Sequence, residues 1–180
     1  MPNNARSNPL FFVAFDYCFL RNCMLYSICK SDKGFCSMTT MVINHVSTLR
    51  NAGQAKQQDL TFALTGKMRK PDSVPFDMDS DIPDFSMSVK SARFTLASAA
   101  LMSATTFEGQ LNEFSERVHS DKFAYVSEDY MVYIMDKSEF LTFCREFCAW
   151  ECESKKNGGM YKVRCRKESR RMIEWLQARV

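Results

Sequence analysis

Residues 123–140, FAYVSEDYMVYIMDKSEF, constrain the fold more than any other stretch. Phe123–Val126 and Tyr130–Met135 are runs of aromatic and β-branched residues joined by a polar turn. Such residues suit a pleated, half-buried surface, so the pair predicts a β-hairpin. Lys137–Cys152 follows at once and predicts a helix, with Phe140, Phe143, Phe147 and Trp150 on one side.

The remaining segments extend this pattern. Val42–Arg50 and Ala55–Thr65 predict helices, broken near Gly53 and ended by Gly66. Residues 67–84, rich in Pro and Asp, predict a loop leading into an extended segment. Met87–Lys90 and Arg93–Ala97 predict strands. Thr105 or Thr106 is placed to cap a helix running to about His119, and Thr105-x-x-Glu108 has capping-box spacing. Asn157-Gly158-Gly159 predicts a turn and Tyr161–Cys165 a strand. Lys167–Arg179 closes the chain as an amphipathic helix with Met172, Trp175 and Leu176 inward. The expected fold class is α/β (α+β), a central mixed β-sheet flanked by helices in three layers.

With 180 residues, 46% of them hydrophobic and 25% charged, the chain is long enough for one domain with a real core. Residues 38–180 are expected to form it. Residues 1–37 read differently: they hold four of the eight cysteines and five of the fifteen phenylalanines, without a steady period. They are expected to be an N-terminal extension, with the physiological start at Met38 or Met41 and the upstream part a translated leader. The alternative is an arm that touches a membrane or a partner. The apolar run Leu10–Phe15 is cut by Asp16, and Arg21 follows. It fits neither a secretory signal nor a membrane span, which needs about 20 apolar residues. The thiols are therefore expected to be reduced and the protein cytoplasmic. Cys144, Cys148 and Cys152 recur at four-residue spacing and are expected to form a buried stripe on one helix face rather than a zinc site.

Five carboxylates, Asp72, Asp77, Asp79, Asp81 and Asp84, precede Ser88-Val89-Lys90. Hydrolysis of a phosphodiester needs a hard divalent cation held by oxygen ligands. A carboxylate at a strand end and a lysine on the adjacent strand can meet at one point. Ser88 and Lys90 share a strand face, and the lysine can steady developing charge. The blander roles are a local turn for Asp81, as for Asp77 and Asp79, an exposed strand lysine for Lys90, and a helix cap for Glu108.

The segment SDIPDFSMSVKS (Ser80–Ser91) resembles the metal-site hairpin of the PD-(D/E)xK, restriction-endonuclease-like nuclease superfamily, and the likeness runs over roughly residues 55–135. The chain departs from that pattern at Ser88, which stands where the superfamily carries an acid two residues before the lysine. Some similar restriction endonucleases carry Ser-x-Lys and supply the acid from the following helix. The resemblance thus implies Asp81 as first Mg²⁺ ligand, Lys90 as catalytic lysine and Glu108 as the migrated second acid and metal ligand, with Glu113 as its fallback. Gln58 or Asp59 could complete the site. It also implies DNA as partner and a possible homodimer.

Residues 154–180 hold nine Lys/Arg against two Glu, a local charge of +7, whereas residues 38–153 carry −6. A basic tail on an acidic body suits a phosphate backbone or an acidic protein surface; the plain alternative is a solvated helix face. Lys162, Arg164 and Arg166 alternate along a predicted strand, with Lys155, Lys156, Lys167, Arg170 and Arg171 around them. These cations are the candidate nucleic-acid contacts. Two functions follow. One is a Mg²⁺-dependent DNA endonuclease. The other is a catalytically inactive phage- or plasmid-borne inhibitor of a host defence nuclease, for example an anti-CRISPR protein acting on a Cas9-type effector, which tolerates the missing acid at Ser88.

Overall fold

The computed structural model describes residues 23–26, 38–68, 81–96, 103–152 and 161–180. The expected turn at Asn157-Gly158-Gly159, Lys155, Lys156, and the carboxylates Asp72, Asp77 and Asp79 lie outside them. Seven strands, β1 (Cys23–Tyr26), β2 (Met38–Ile43), β3 (Met87–Ser91), β4 (Lys122–Val126), β5 (Met131–Asp136), β6 (Cys148–Cys152) and β7 (Tyr161–Cys165), accompany four helices. The helices are α1 (Ala52–Thr65), α2 (Phe107–Arg117), α3 (Lys137–Phe147) and α4 (Arg170–Gln177). The main sheet has the order β1-β2-β5-β4-β3, and β6 and β7 form a separate ribbon. Among the described residues only β3 and β4 run parallel, joined by α2. The fold is therefore a mixed sheet flanked by helices, as the residue patterns predict.

The hairpin of β4 and β5 shows how the layers form. Phe123 and Tyr125 of β4, with Tyr133 and Met135 of β5, enter a core built with α2, α3 and α4. Ala124, Val126 and Val132, one step out of phase, enter a second core with Leu60 and Ala63 of α1. The two-residue period of a strand thus divides the apolar residues between two faces. Phe123 and Phe140 stack at 4.1 Å between ring centroids in the first core, and Phe114, Phe140 and Phe143 are fully buried there.

Helix ends obey local chemistry. Asn51 caps α1 by accepting from the amides of Gly53 and Gln54, and Gly66 ends it at φ +70. The cap of α2 is Thr106, which accepts from Gly109; a Cβ on Gly109 would sit 2.8 Å from the Thr106 hydroxyl oxygen. The cap is thus the second of the two expected threonines, and with Gly109 at the third helical position the expected Thr105–Glu108 capping box does not form. Asp136 caps α3 through Glu139.

Two expected helices differ. Residues 42–50 do not form one: Met38–Ile43 is β2, paired antiparallel with β5, and the chain then runs irregularly to α1. The helix expected over Lys137–Cys152 stops at Phe147, because Cys148–Cys152 pairs with β7. Cys144 therefore lies on a helix and Cys148 and Cys152 on a strand, so they share no helix face; Cys144 is buried and Cys152 exposed. The strand expected at Arg93–Ala97 shrinks to a single bridge from Thr95 to Arg164, flanked by bonds from Leu96 N to Val163 O and from Cys165 N to Phe94 O. Of residues 1–37, Cys23–Tyr26 pairs antiparallel with β2. No helix among the described residues is long and apolar enough to cross a membrane.

Candidate functional site

At the open edge of β3 lies a cleft of about 690 Å³. Four pieces of chain build it. The first turn of α1 contributes Asn51–Gln54 with Lys56 and Gln57 behind; β3 and its following turn contribute Val89–Thr95; Asp81 and Glu128 complete the walls. The α1 end carries no acidic residue in its first turn, so its positive dipole end is not offset by its own carboxylates.

Asp81 is held where the edge strand starts. Ile82 bridges to Met87 across the short 3-10 turn Pro83–Phe85, with Ser86 in the left-handed region at φ 48. This tight reversal returns Asp81 to β3, where Val89 N donates to its Oδ2 at 2.5 Å. Gln57 Nε2 donates to Oδ1 at 3.0 Å. Gln57 is thus the α1 partner of Asp81. Gln58 and Asp59 face elsewhere: Gln58 accepts from the Ser47 hydroxyl at 2.6 Å, and Asp59 gathers Val46 N, Ser47 N and His45 Nδ1.

Lys90 lines the same cleft as Asp81. It is not an exposed strand lysine: only 7% of it is accessible, and it pairs by register with buried Tyr125 of β4. Among the described residues its ammonium has no hydrogen-bond acceptor and no carboxylate partner. Lys56 also borders the cleft, donating from Nζ to the Ser127 carbonyl and lying 5.4 Å from the centroid of the Tyr130 ring. Burial holds its amine below the usual lysine range, against the opposing pull of Glu168, Glu128 and Asp129. The Tyr125 hydroxyl donates to Glu168 at 3.1 Å; burial, then the Glu168 charge, pushes that phenol up. Arg93, in the left-handed region at φ 66, is the third cation of the cleft.

The other sequence-derived residues fall outside it. Ser88 is buried, with its hydroxyl 2.7 Å from that of Ser120. Glu108 stands exposed at the start of α2 and accepts from Arg145 Nε at 3.2 Å. Glu113 accepts from the amides of Ser103 and Ala104 and from Arg117; those backbone bonds hold its carboxyl below the usual range. The second carboxylate lining the cleft is Glu128, which sits in the β4–β5 turn. Among the described residues, no three carboxylate, imidazole or thiol groups converge to hold a metal ion. Asp81 and Glu128 are the carboxylates that line the cleft; a Mg²⁺ ion held by so few protein oxygens would take its other ligands from water and a substrate phosphate.

The basic C-terminal residues divide into two groups. Arg166 pairs with Glu151 at 3.0 Å, Arg170 with Glu174 at 2.7 Å, and Arg171 with Glu146. On β7, Val163 and Cys165 face the core, leaving Lys162 and Arg164 on the outer side. Lys162 stands opposite Glu151, and Arg164 opposite Ala149. Arg166 lies one residue past the strand, and Lys167 is exposed beyond it.

Lys56, Arg93 and Glu128 were not singled out from the sequence. The polar turn before Tyr130 marked Glu128 only as a turn residue, and nothing local marks Arg93 for a positive φ. No known protein family, curated protein or solved structure matches this chain.

Proposed function

We propose that this protein binds nucleic acid on a restriction-endonuclease-like scaffold, receiving a backbone phosphate of DNA in the cleft beside β3. One observation carries the reading: Lys90 lines the cleft, is 7% accessible overall, and its ammonium has no ion-pair or hydrogen-bond partner among the described residues. Among the described residues no buried side-chain nitrogen lacks a hydrogen-bond partner, so the unpaired ammonium is reached from the cleft, where it can meet an anion supplied from outside. Lys56, Arg93 and the dipole of α1 add to the same potential. The α1 helix, the Asp81 reversal, and the β3–α2–β4 unit that carries Lys90 support the scaffold assignment.

Binding without hydrolysis is the favoured form, because Ser88 holds the acid position and Glu108 is engaged by Arg145 away from the cleft. An inhibitor that occupies DNA, or the guide complex of a Cas9-type effector, fits such a protein. The test is fluorescence anisotropy with labelled DNA, in Mg²⁺ and in EDTA, beside incubation with supercoiled plasmid. Salt-sensitive binding that EDTA leaves unchanged and Lys90→Met abolishes is the expected result. Equal binding by Lys90→Met removes the cleft from the account. Mg²⁺-dependent nicking lost in both Asp81→Asn and Lys90→Met replaces the binder with an endonuclease.

A further inference from the structure

Beside the cleft, Thr95 leads to β7. Thr95 forms an antiparallel bridge with Arg164 of β7, and paired residues in such a bridge project to the same side with Cβ atoms about 5 Å apart. Arg164 therefore extends the wall that Arg93 and Thr95 begin. Its position is fixed from both sides of β7. Phe94 and Leu96 bond to the backbone of Cys165 and Val163. The Gln110 amide of α2 accepts from Val163 N and donates to Tyr161 O, both at 3.2 Å. Ala149, opposite Arg164 on β6, offers no carboxylate, and among the described residues the exposed guanidinium of Arg164 has no ion-pair partner. The cations farther along are answered within the protein, Arg166 by Glu151, Arg170 by Glu174 and Arg171 by Glu146.

We infer that Arg164, with Arg93, forms a second phosphate subsite for the nucleic-acid strand whose neighbouring phosphate meets Lys90, and that Arg166, Arg170 and Arg171 are not part of it. The inference rests on the cleft reading above. A guanidinium free of internal carboxylates releases a counterion when it meets a phosphate, whereas one already paired must first give up its partner. The path thus runs from the α1 end, past Lys90 and Arg93, to the outer face of β7. Its ligand is a polyanionic strand rather than a single phosphate.

The experiment measures anisotropy of a short fluorescein-labelled DNA duplex over a series of KCl concentrations, using the full chain. Arg164→Ala and Arg93→Ala are each expected to lower the slope of log affinity against log salt by about 0.9, the share of one phosphate contact. Arg170→Ala and Arg171→Ala are expected to keep the wild-type slope. Arg164 is exposed, so its substitution leaves the core intact, and circular dichroism checks this. An unchanged slope in Arg164→Ala while Lys90→Met loses binding overturns the subsite and leaves the cleft reading standing. A slope lowered as much by Arg170→Ala also overturns it, since the basic tail then acts as an undivided patch. If the wild-type chain binds no DNA, or Lys90→Met binds as the wild type does, the cleft reading fails and the subsite falls with it.

Discussion

Replacing Lys90 with methionine should raise the stability of the fold while removing the proposed DNA binding. Methionine keeps the length and most of the apolar stem of lysine, so the contacts beside Tyr125 survive with little change in buried area. What disappears is an ammonium with no internal acceptor among the described residues on a side chain only 7% accessible. Replacing poorly compensated buried charge by apolar volume is often neutral or stabilising by roughly 1–4 kcal/mol. Because this ammonium borders an open cleft, the low end, about 1 kcal/mol, is the expectation. For a chain of this size that corresponds to a rise in Tm of about 2–4 °C. Added DNA reverses the order of the two proteins. At about 100 times Kd it stabilises the wild type by about 2.7 kcal/mol and does nothing for the variant. Thermal melts with and without a short duplex measure both effects. A Tm lowered by several degrees in Lys90→Met without DNA would falsify the argument, since Lys90 would then be a structural strut.

Three other perturbations probe the scaffold around the cleft. Asp59 is fully buried and accepts from Val46 N and Ser47 N through one oxygen. Asp59→Ala strands both amides and should cost roughly 2–4 kcal/mol in urea melts, whereas Asp59→Asn keeps that oxygen and should cost about 1 kcal/mol or less. Equal losses would mean that the charge, not the acceptor, matters. Asp136 is held below its ordinary value of 3.8, chiefly by the Glu139 amide it caps. Its stabilisation is present above that value and is lost as pH falls through the lower folded one, so Asp136→Asn should flatten the acid limb of a stability–pH curve. An unaltered limb rejects the assignment. Cys148 and Cys165 face each other by register, and the backbone of Cys165 bonds away from β6, toward Phe94. They therefore form a non-hydrogen-bonded pair with Cα atoms about 4.5 Å apart, within disulfide range. A hydrogen bond to Cys144 and burial push the Cys148 thiol up, and a bond to Cys148 and burial do so for Cys165. Diamide should link these two slowly, and iodoacetamide should label exposed Cys152 before Cys144, Cys148 and Cys165. A mapped bridge from Cys152 to either one would contradict the register.

The elements that were legible in the sequence are those whose local pattern and tertiary partner agree. FAYV and YMVYIM alternate between two cores, and YKVRC forms β7 over the residues expected. Where they disagree, pairing wins. Met38–Ile43 carries apolar residues that also suit a helix leading into Val46 and Leu49, but β5 offers a free edge in register and takes them as a strand. CAWEC has helical spacing when joined to the phenylalanines before it, yet Cys148, Trp150 and Cys152 alternate with Ala149 and Glu151. That alternation matches β7. Neither competing strand is visible from the local window, which is why α3 was expected to run five residues too far.

The same logic explains how far the candidate site could be seen in advance. That Asp81 and Lys90 line one cleft follows from a short reversal that returns Asp81 to β3, which is a local event. Glu108 depends on how α2 is rotated about its axis, and that is set by Gln110. Gln110 is buried and uses both ends of its amide on β7. Two residues along a helix are about 200° apart around its axis, so fixing Gln110 against β7 turns Glu108 away, toward Arg145 of α3. Turning Glu108 to the side that Gln110 occupies would take about half a revolution of α2. The bonds of Gln110 to Tyr161 and Val163 would break, and the strand that carries Arg164 would lose its anchor. The contact that turns Glu108 toward Arg145 is therefore the one that anchors the strand carrying Arg164.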